Sequence, residues 1–304
     1  MLGDLLNLNI LYKQIMKNKL KLGYSVSLPF NIKSKIPEYA EDNVKLIQTL
    51  SSNFDCIQVM FSKSKLTSNE LKQIKSILTN YKFIYIHASY QINMGADLIP
   101  SQTDLYSTGI EIFLNEIEYG NKIGAKGIIV HMGKNVKNKY DMTHIYNNMV
   151  KFIIELFKKL KTKKIILPIL LETPAGQGGE MCWDLKEFVE FITKFSKLNF
   201  YFQLGVCLDT CHIFQAGYDL NDIKVIKQVH KILEPIQDKI QLIHLNDSYH
   251  SIGKHIDRHE QIGKGHIQIN KLIKFVYQYK SIPMILETIG PYEEQIKKIE
   301  KNIK

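Results

Sequence analysis

The 304-residue chain has a single arginine, Arg258, a single tryptophan and four cysteines, Cys56, Cys182, Cys207 and Cys211. Four thiols in a chain of this length cannot form the disulfide framework of a small secreted protein. The first residues lack the charged, apolar and small-residue order of a secretion signal. A reducing, intracellular location is therefore expected, in cytoplasm or nucleus, with a viral or virion location also open. Apolar runs such as Ile165 to Leu171, interrupted by Pro168, fall far short of the roughly 20 residues that span a bilayer, so no membrane association is expected. No internal repeat and no Gly/Ser-rich linker divides the chain. With 45% hydrophobic and 23% charged residues, disordered and low-complexity classes are excluded.

The charge that is present leans one way. Forty Lys and Arg against thirty Asp and Glu leave a formal charge of +10. That excess favours an anionic partner such as nucleic acid, although richness in Lys, Asn, Ile and Tyr is also what an A/T-rich coding genome produces. Eight short apolar runs recur along the chain: Tyr24 to Leu28, Cys56 to Phe61, Phe83 to His87, Gly127 to His131, Ile165 to Glu172, Leu204 to Asp209, Ile240 to Leu245 and Pro283 to Glu287. They are apolar on both faces, as strands covered by helices are. Between them lie segments of helical period, for instance Ile145, Met149, Phe152, Ile153, Leu156, Phe157 and Leu160, and later Leu185, Phe188, Val189 and Ile192. Eight such units predict an α/β fold of the (β/α)8 TIM barrel type. A doubly wound sheet is the alternative, but no Gly-x-Gly-x-x-Gly turn follows the first strand. The expected division is a short N-terminal helical extension over residues 1–20 and a single catalytic barrel domain over 21–304. The longest irregular stretch, 248–266, is expected to be functional.

Six consecutive strand candidates end in a side chain able to bind metal: His87, His131, Glu172, Asp209, His244 and Glu287. In a barrel these ends ring one face, the face on which barrel enzymes carry out their chemistry. Loops add His212, three residues after Asp209, and the pair Asp257 and His259, whose i, i+2 spacing lets both point the same way. Five imidazoles and four carboxylates exceed what one tetrahedral ion can use, and suit two or three ions with bridging carboxylates. The donor set fits Zn2+, with Mn2+ or Fe able to substitute. Such ions lower the pKa of bound water from about 15.7 toward about 7 and, about 4 Å apart, clamp an in-line displacement at phosphorus. Phosphoester hydrolysis follows, and lysines would neutralise a DNA backbone. The remaining histidines, His144, His230, His250, His255 and His266, lack this placement and are read as structural or solvated. Cys207 and Cys211 are read as buried packing thiols, having no second cysteine pair to complete a zinc site.

Ordered blocks carry a resemblance across about Gly23 to Ile299. They are Leu171-Glu172-Thr173-Pro174-Ala175-Gly176-Gln177-Gly178, Gly205-Val206-Cys207-Leu208-Asp209-Thr210-Cys211-His212 with Ala216-Gly217-Tyr218-Asp219, His244-Leu245-Asn246-Asp247, Asp257-Arg258-His259 and Ile285-Leu286-Glu287-Thr288. In these the chain resembles the endonuclease IV family of apurinic/apyrimidinic (AP) endonucleases. The resemblance implies three zinc ions: one on His87 and His131, a second on Asp209, His244 and Glu287 with Glu172 bridging the two, and a third on His212, Asp257 and His259. It implies a base-excision DNA-repair hydrolase, with Glu172 and Glu287 at its catalytic centre. Such an enzyme cuts double-stranded DNA 5′ to an abasic site and leaves a 3′-hydroxyl, and some members also trim blocked 3′ ends. The abasic sugar, with little stacking to lose, would be flipped out of the helix.

The expected DNA contacts are Tyr90, which matches a family tyrosine, Arg258, and Lys63 and Lys65 in the loop after the second strand. That loop, Phe61-Ser62-Lys63-Ser64-Lys65, lacks the Arg, Gln and Trp usual there, and His131-Met132-Gly133-Lys134 replaces the usual His-Pro-Gly-Ser. Arg258 is the one planar, bidentate donor among thirty-nine lysines, which suits a phosphate. The chain is expected to act as a monomer. Two alternatives stay open: a metal-dependent sugar isomerase or epimerase barrel, and a damaged-DNA-binding relative without catalysis.

Overall fold

The computed structural model describes residues 20–28, 45–61, 65–97, 105–197 and 204–303. The expected N-terminal helix lies outside the described residues except for Leu20, which is buried, and so does Lys63. Eight strands close into a parallel barrel: β1 (Leu22–Leu28), β2 (Cys56–Phe61), β3 (Phe83–His87), β4 (Gly127–Val130), β5 (Ile169–Glu172), β6 (Leu204–Asp209), β7 (Ile240–His244) and β8 (Met284–Leu286). They pair in chain order, and β8 closes onto β1 through Leu22↔Met284 and Tyr24↔Leu286. This is the predicted TIM barrel.

The apolar runs found the strands because all but β1, whose Ser27 is exposed, are largely buried on both faces. Their ends differ by a few residues. The expected strand from Ile165 begins instead at Ile169, because the Ile165 N–H closes the preceding helix on the Leu160 carbonyl and Pro168 has no N–H for the ladder. His131 and Glu287 stand one residue beyond β4 and β8.

Helices cover the barrel through the predicted faces. Helix α1 (Ser68–Ile77) starts at a capping box of Thr67 and Glu70. Helix α2 (Leu105–Ile123) follows β3. Helix α3 (Met142–Lys163) is capped by Asp141, and all seven apolar residues of its expected stripe, from Ile145 to Leu160, are buried. Helix α4 (Leu185–Ser196) is capped by Asp184, and Leu185, Phe188, Val189 and Ile192 are buried likewise. The short helix α5 (Thr210–Gln215), buried throughout, stands directly on the end of β6, and α6 (Ile223–Leu233), α7 (Ile269–Val276) and α8 (Tyr292–Asn302) complete the outer layer. Full burial of an aliphatic side chain contributes about 1.5–3 kcal/mol, so this interface between barrel and helices dominates stability.

Within the barrel, one inward residue from each of seven strands packs into an apolar plug: Cys56, Tyr85, Ile129, Leu170, Cys207, Leu242 and Ile285. Side chains two residues apart share a face of a strand. Two residues further along those same seven strands stand Gln58, His87, His131, Glu172, Asp209, His244 and Glu287. The alternation thus sets a polar tier on a dry floor at the C-terminal mouth.

Candidate metal centre

The nine expected side chains converge at that mouth. His87 Nε2 and His131 Nε2 lie 3.5 and 3.4 Å from Glu172 Oε2. The other oxygen of Glu172, Oε1, is 2.7 Å from His244 Nδ1, which is also 2.9 Å from Glu287 Oε2 and 3.7 Å from Asp209 Oδ2. Asp257 Oδ1 is 3.2 Å from His212 Nε2 and 3.3 Å from His259 Nε2, and the latter nitrogen is 3.4 Å from Asp209 Oδ2. Donor atoms therefore fall within 4.8 Å of one another as His87 with His131 and Glu172, as Glu172 with Asp209, His244 and Glu287, and as His212 with Asp257 and His259. Asp209, Cys211 and His259 make a further such group. Burial pushes the Cys211 thiol up, and that of Cys207 up to about 12, and both side chains are fully buried, as packing thiols are.

Neighbours fix the rings. His87 Nδ1–H donates to the Ala88 carbonyl and His212 Nδ1–H to the Thr173 carbonyl, which turns both Nε2 atoms inward. Asp209 caps α5 by accepting the His212 N–H, so one turn delivers two of the side chains. The loop carrying Asp257 and His259 is pinned from below: the buried Asp247 carboxylate accepts N–H bonds from Ser248, Gly263, Gly265 and Ile267. Gly265 is required there, because a Cβ would stand 2.3 Å from the Ser248 carbonyl oxygen and 2.6 Å from Asp247 Oδ1. Gln177 Oε1 accepts the Asp257 N–H from the opposite side.

Buried Glu172 Oε2, His212 Nε2 and His259 Nε2 have no hydrogen-bond partner, although a buried polar atom without one costs about 1–3 kcal/mol. One lies in the first donor group and two in the third. Burial pushes the carboxyls of Glu172 and Glu287 up, but His244 beside both holds Glu172 well below the usual range and Glu287 at about 2. Burial likewise opposes charge on His212 and His244, yet Asp209 and Asp257 beside His212, and Cys207, Glu287 and Glu172 beside His244, keep both imidazoles well above their ordinary value. Acceptor-only oxygens crowded onto imidazole nitrogens need positive charge between them. Protons can supply it, and so can cations, which the orphaned atoms and the N/O donor set fit.

Four side chains of this region escaped the sequence analysis as parts of the site. Glu180 Oε1 faces His131 Nδ1 at 3.3 Å and Lys134 Nζ at 3.1 Å, while its Oε2 accepts from the N–H groups of Gly176 and Gln177. Asn246 Nδ2 donates to Asp209 Oδ2 at 2.7 Å, and its Oδ1 accepts the Glu287 N–H. Glu116 reaches from α2 to accept the Ser89 N–H in the turn after His87. Gln58 bridges His244 and Glu287. Parity along β2 marks Gln58, which sits two residues after an inward cysteine. Nothing local marks the others.

Of the expected DNA contacts, Tyr90 and Arg258 stand beside the donor groups and Lys63 falls outside the described residues. Tyr90 is 64% exposed, with its ring 5.3 Å from those of His87 and His131. Lys65 is exposed. Arg258 is exposed too, and its guanidinium donates to the Asp257 carbonyl rather than to a carboxylate. Among the remaining histidines, His144 pairs with Asp97 and His230 packs on Phe275, in keeping with structural roles. Among the described residues no helix is long and apolar enough to cross a membrane.

Residues 46–304 match the family of xylose isomerase-like TIM barrels. The chain is 36% identical over 230 residues to a probable endonuclease 4 of Mycoplasmopsis agalactiae, covering 75% of this chain and 76% of that one. Endonuclease IV from Thermus thermophilus superposes with a TM-score of 0.67 over 93% of this chain and 97% of its own, at 20% identity. A D-tagatose 3-epimerase-like protein superposes almost as well, at 0.66 over 94% and 100%, with 15% identity. At such identities superposition shows the fold alone, and the barrel does not choose between these chemistries.

Proposed function

We propose, from the premise that this chain belongs to the endonuclease IV family of xylose isomerase-like TIM barrels, that it is a zinc-dependent AP endonuclease of DNA repair. It would hydrolyse the phosphodiester bond 5′ to an abasic site in duplex DNA and leave a 3′-hydroxyl. The observation that carries this reading is the partition of nine side chains into three donor groups at the barrel mouth, two of them sharing Glu172. An isomerase needs no third group on a separate loop, whereas a phosphodiester brings several oxygens that develop charge together.

In this reading His87, His131 and Glu172 would hold one ion, Asp209, His244, Glu287 and the same Glu172 a second, and His212, Asp257 and His259 the third. Bound there, the ions would polarise the phosphodiester and activate water. The chain's own contribution is positional. The apolar plug from Cys56 to Ile285 keeps water from below. Asn246 and Asp209 orient Glu287 and His212, and Asp247 holds the loop that presents Asp257 and His259. Exposed Tyr90 and Arg258, beside the donor groups, would contact the DNA around the flipped abasic sugar together with Lys63 and Lys65, helped by the formal charge of +10. Residues 21–304 would form one catalytic domain, working as an intracellular monomer.

The deciding experiment sets a nicking assay on an abasic duplex beside an epimerase assay on a ketose, with metal analysis of the same preparation. Cleavage 5′ to the lesion with more than one zinc per chain is expected. Ketose turnover without nicking would replace the proposal with the epimerase reading, and DNA binding without either would leave a non-catalytic relative.

A further inference from the structure

Gln58 is fully buried in the middle of β2, within the polar tier and directly above the apolar plug. Its Nε2 donates to Glu287 Oε1 at 2.7 Å and to Ser25 Oγ at 3.1 Å, and its Oε1 stands 2.8 Å from His244 Nε2. The amide cannot be reversed without facing its oxygen to a carboxylate oxygen, and neither has a proton to share. An amide oxygen opposite His244 Nε2 in turn requires the hydrogen on that nitrogen. The lone pair of a neutral His244 is thereby confined to Nδ1, the atom that points at Glu172, Glu287 and Asp209.

His244 is the inverse of its neighbours. His87 and His212 are held at Nδ1 by backbone carbonyls, and His131 Nδ1 faces Glu180, so each presents Nε2 to the centre. At His244 the outer atom is Nε2, buried within the barrel, and the atom that meets it there is the side-chain amide oxygen of Gln58 on β2. We propose that Gln58 is a positioning residue of the centre: one amide sets the tautomer of His244 with Nδ1 inward and holds Glu287 beside it. The inference rests on the metal-centre reading and assigns a residue that touches two members of one donor group at once. An apolar side chain in its place would leave His244 Nε2–H buried without an acceptor and release Glu287 Oε1.

The test uses the purified full chain with zinc as the probe, in competition titrations against a chromophoric chelator. Gln58→Met keeps the volume and removes the amide, and Gln58→Asn keeps the amide but is one methylene too short to reach both partners. Loss of such an outer partner weakens metal binding by about 10- to 100-fold. The expected result is a loss of that size for one zinc equivalent in Gln58→Met, a smaller loss for the same equivalent in Gln58→Asn, and wild-type affinity for the rest. Chelator-treated Gln58→Asn should still unfold cooperatively, within a few degrees of the chelator-treated wild type, which shows that it is folded. Wild-type affinity for every equivalent in a folded variant, or equal weakening of all equivalents, would overturn the assignment while leaving the metal centre intact. A wild-type chain that binds no zinc would overturn both.

Discussion

Glu116 ties the fold to the site through an ionisable group whose cost can be worked out. It lies on α2, almost fully buried, and accepts the Ser89 N–H at 3.1 Å, bracing the turn that follows His87 and carries Tyr90. Burial raises its carboxyl from 4.5 to about 7, against the lowering effects of the Ser89 N–H and of His87. A raised carboxyl pKa means that the folded state holds a proton the unfolded chain has already lost. Its penalty is absent below about pH 4.5, grows as pH rises toward 7, and is complete above that. At 1.36 kcal/mol per unit, the shift corresponds to about 3 kcal/mol in the metal-free protein. Glu116→Gln keeps an acceptor for Ser89 and cannot ionise. Chelator-treated wild type should therefore lose stability relative to Glu116→Gln between pH 4.5 and 7, and the variant should melt roughly 6 °C higher at pH 8, at about 2 °C per kcal/mol for a chain of this size. Melting curves of both proteins across this range are the assay. Parallel curves would show that Glu116 ionises normally in the fold and would refute the argument.

Glu172→Gln and Glu287→Gln each keep size and remove charge from the crowded centre, so nicking should fall by at least 100-fold while binding to abasic duplex survives. Near-wild-type turnover in either variant would place the chemistry elsewhere. Gly265→Ala should lower the melting temperature and weaken zinc binding at one equivalent, because its Cβ drives into the Asp247 cradle beneath the Asp257 and His259 loop; unchanged zinc content would uncouple that loop from the site. Tyr90→Ala should weaken affinity for abasic duplex, read by titration at fixed salt, while leaving zinc content alone. Arg258→Lys keeps the charge but loses the planar fork. Cleavage should drop by about 10-fold or more with metal content and melting temperature unchanged, and a wild-type rate would remove the phosphate contact.

The barrel was legible because its strands, all but β1, are largely buried on both faces, so apolar runs alone located all eight. Their boundaries were less legible: nothing in the apolarity of Ile165 to Leu167 tells that the Ile165 N–H belongs to the end of α3. Most of the centre was legible by the same period of two that builds the plug, since Tyr85, Ile129, Leu170, Cys207, Leu242 and Ile285 are each followed two residues later by a histidine or carboxylate. Cys56 is followed by Gln58, and there the pattern failed to attract notice, because an amide is no metal ligand and β2 runs three residues past it. Glu180 and Glu116 obey no period, and Asn246 continues it only past the end of β7; they reach the site from a loop, a covering helix and a strand exit, through bonds that exist only once the barrel has closed. Ligand types are constrained by what a cation accepts, and so they announce themselves as His, Asp and Glu at fixed places. The groups that orient those ligands need only satisfy a single ring nitrogen or carboxylate oxygen, which a carbonyl, an amide or an acid can do equally well. Four histidines here use two backbone carbonyls, one glutamate and one glutamine for that same purpose. The orienting shell is therefore where a sequence pattern should fail first, and where residues such as Gln58 have to be found from geometry.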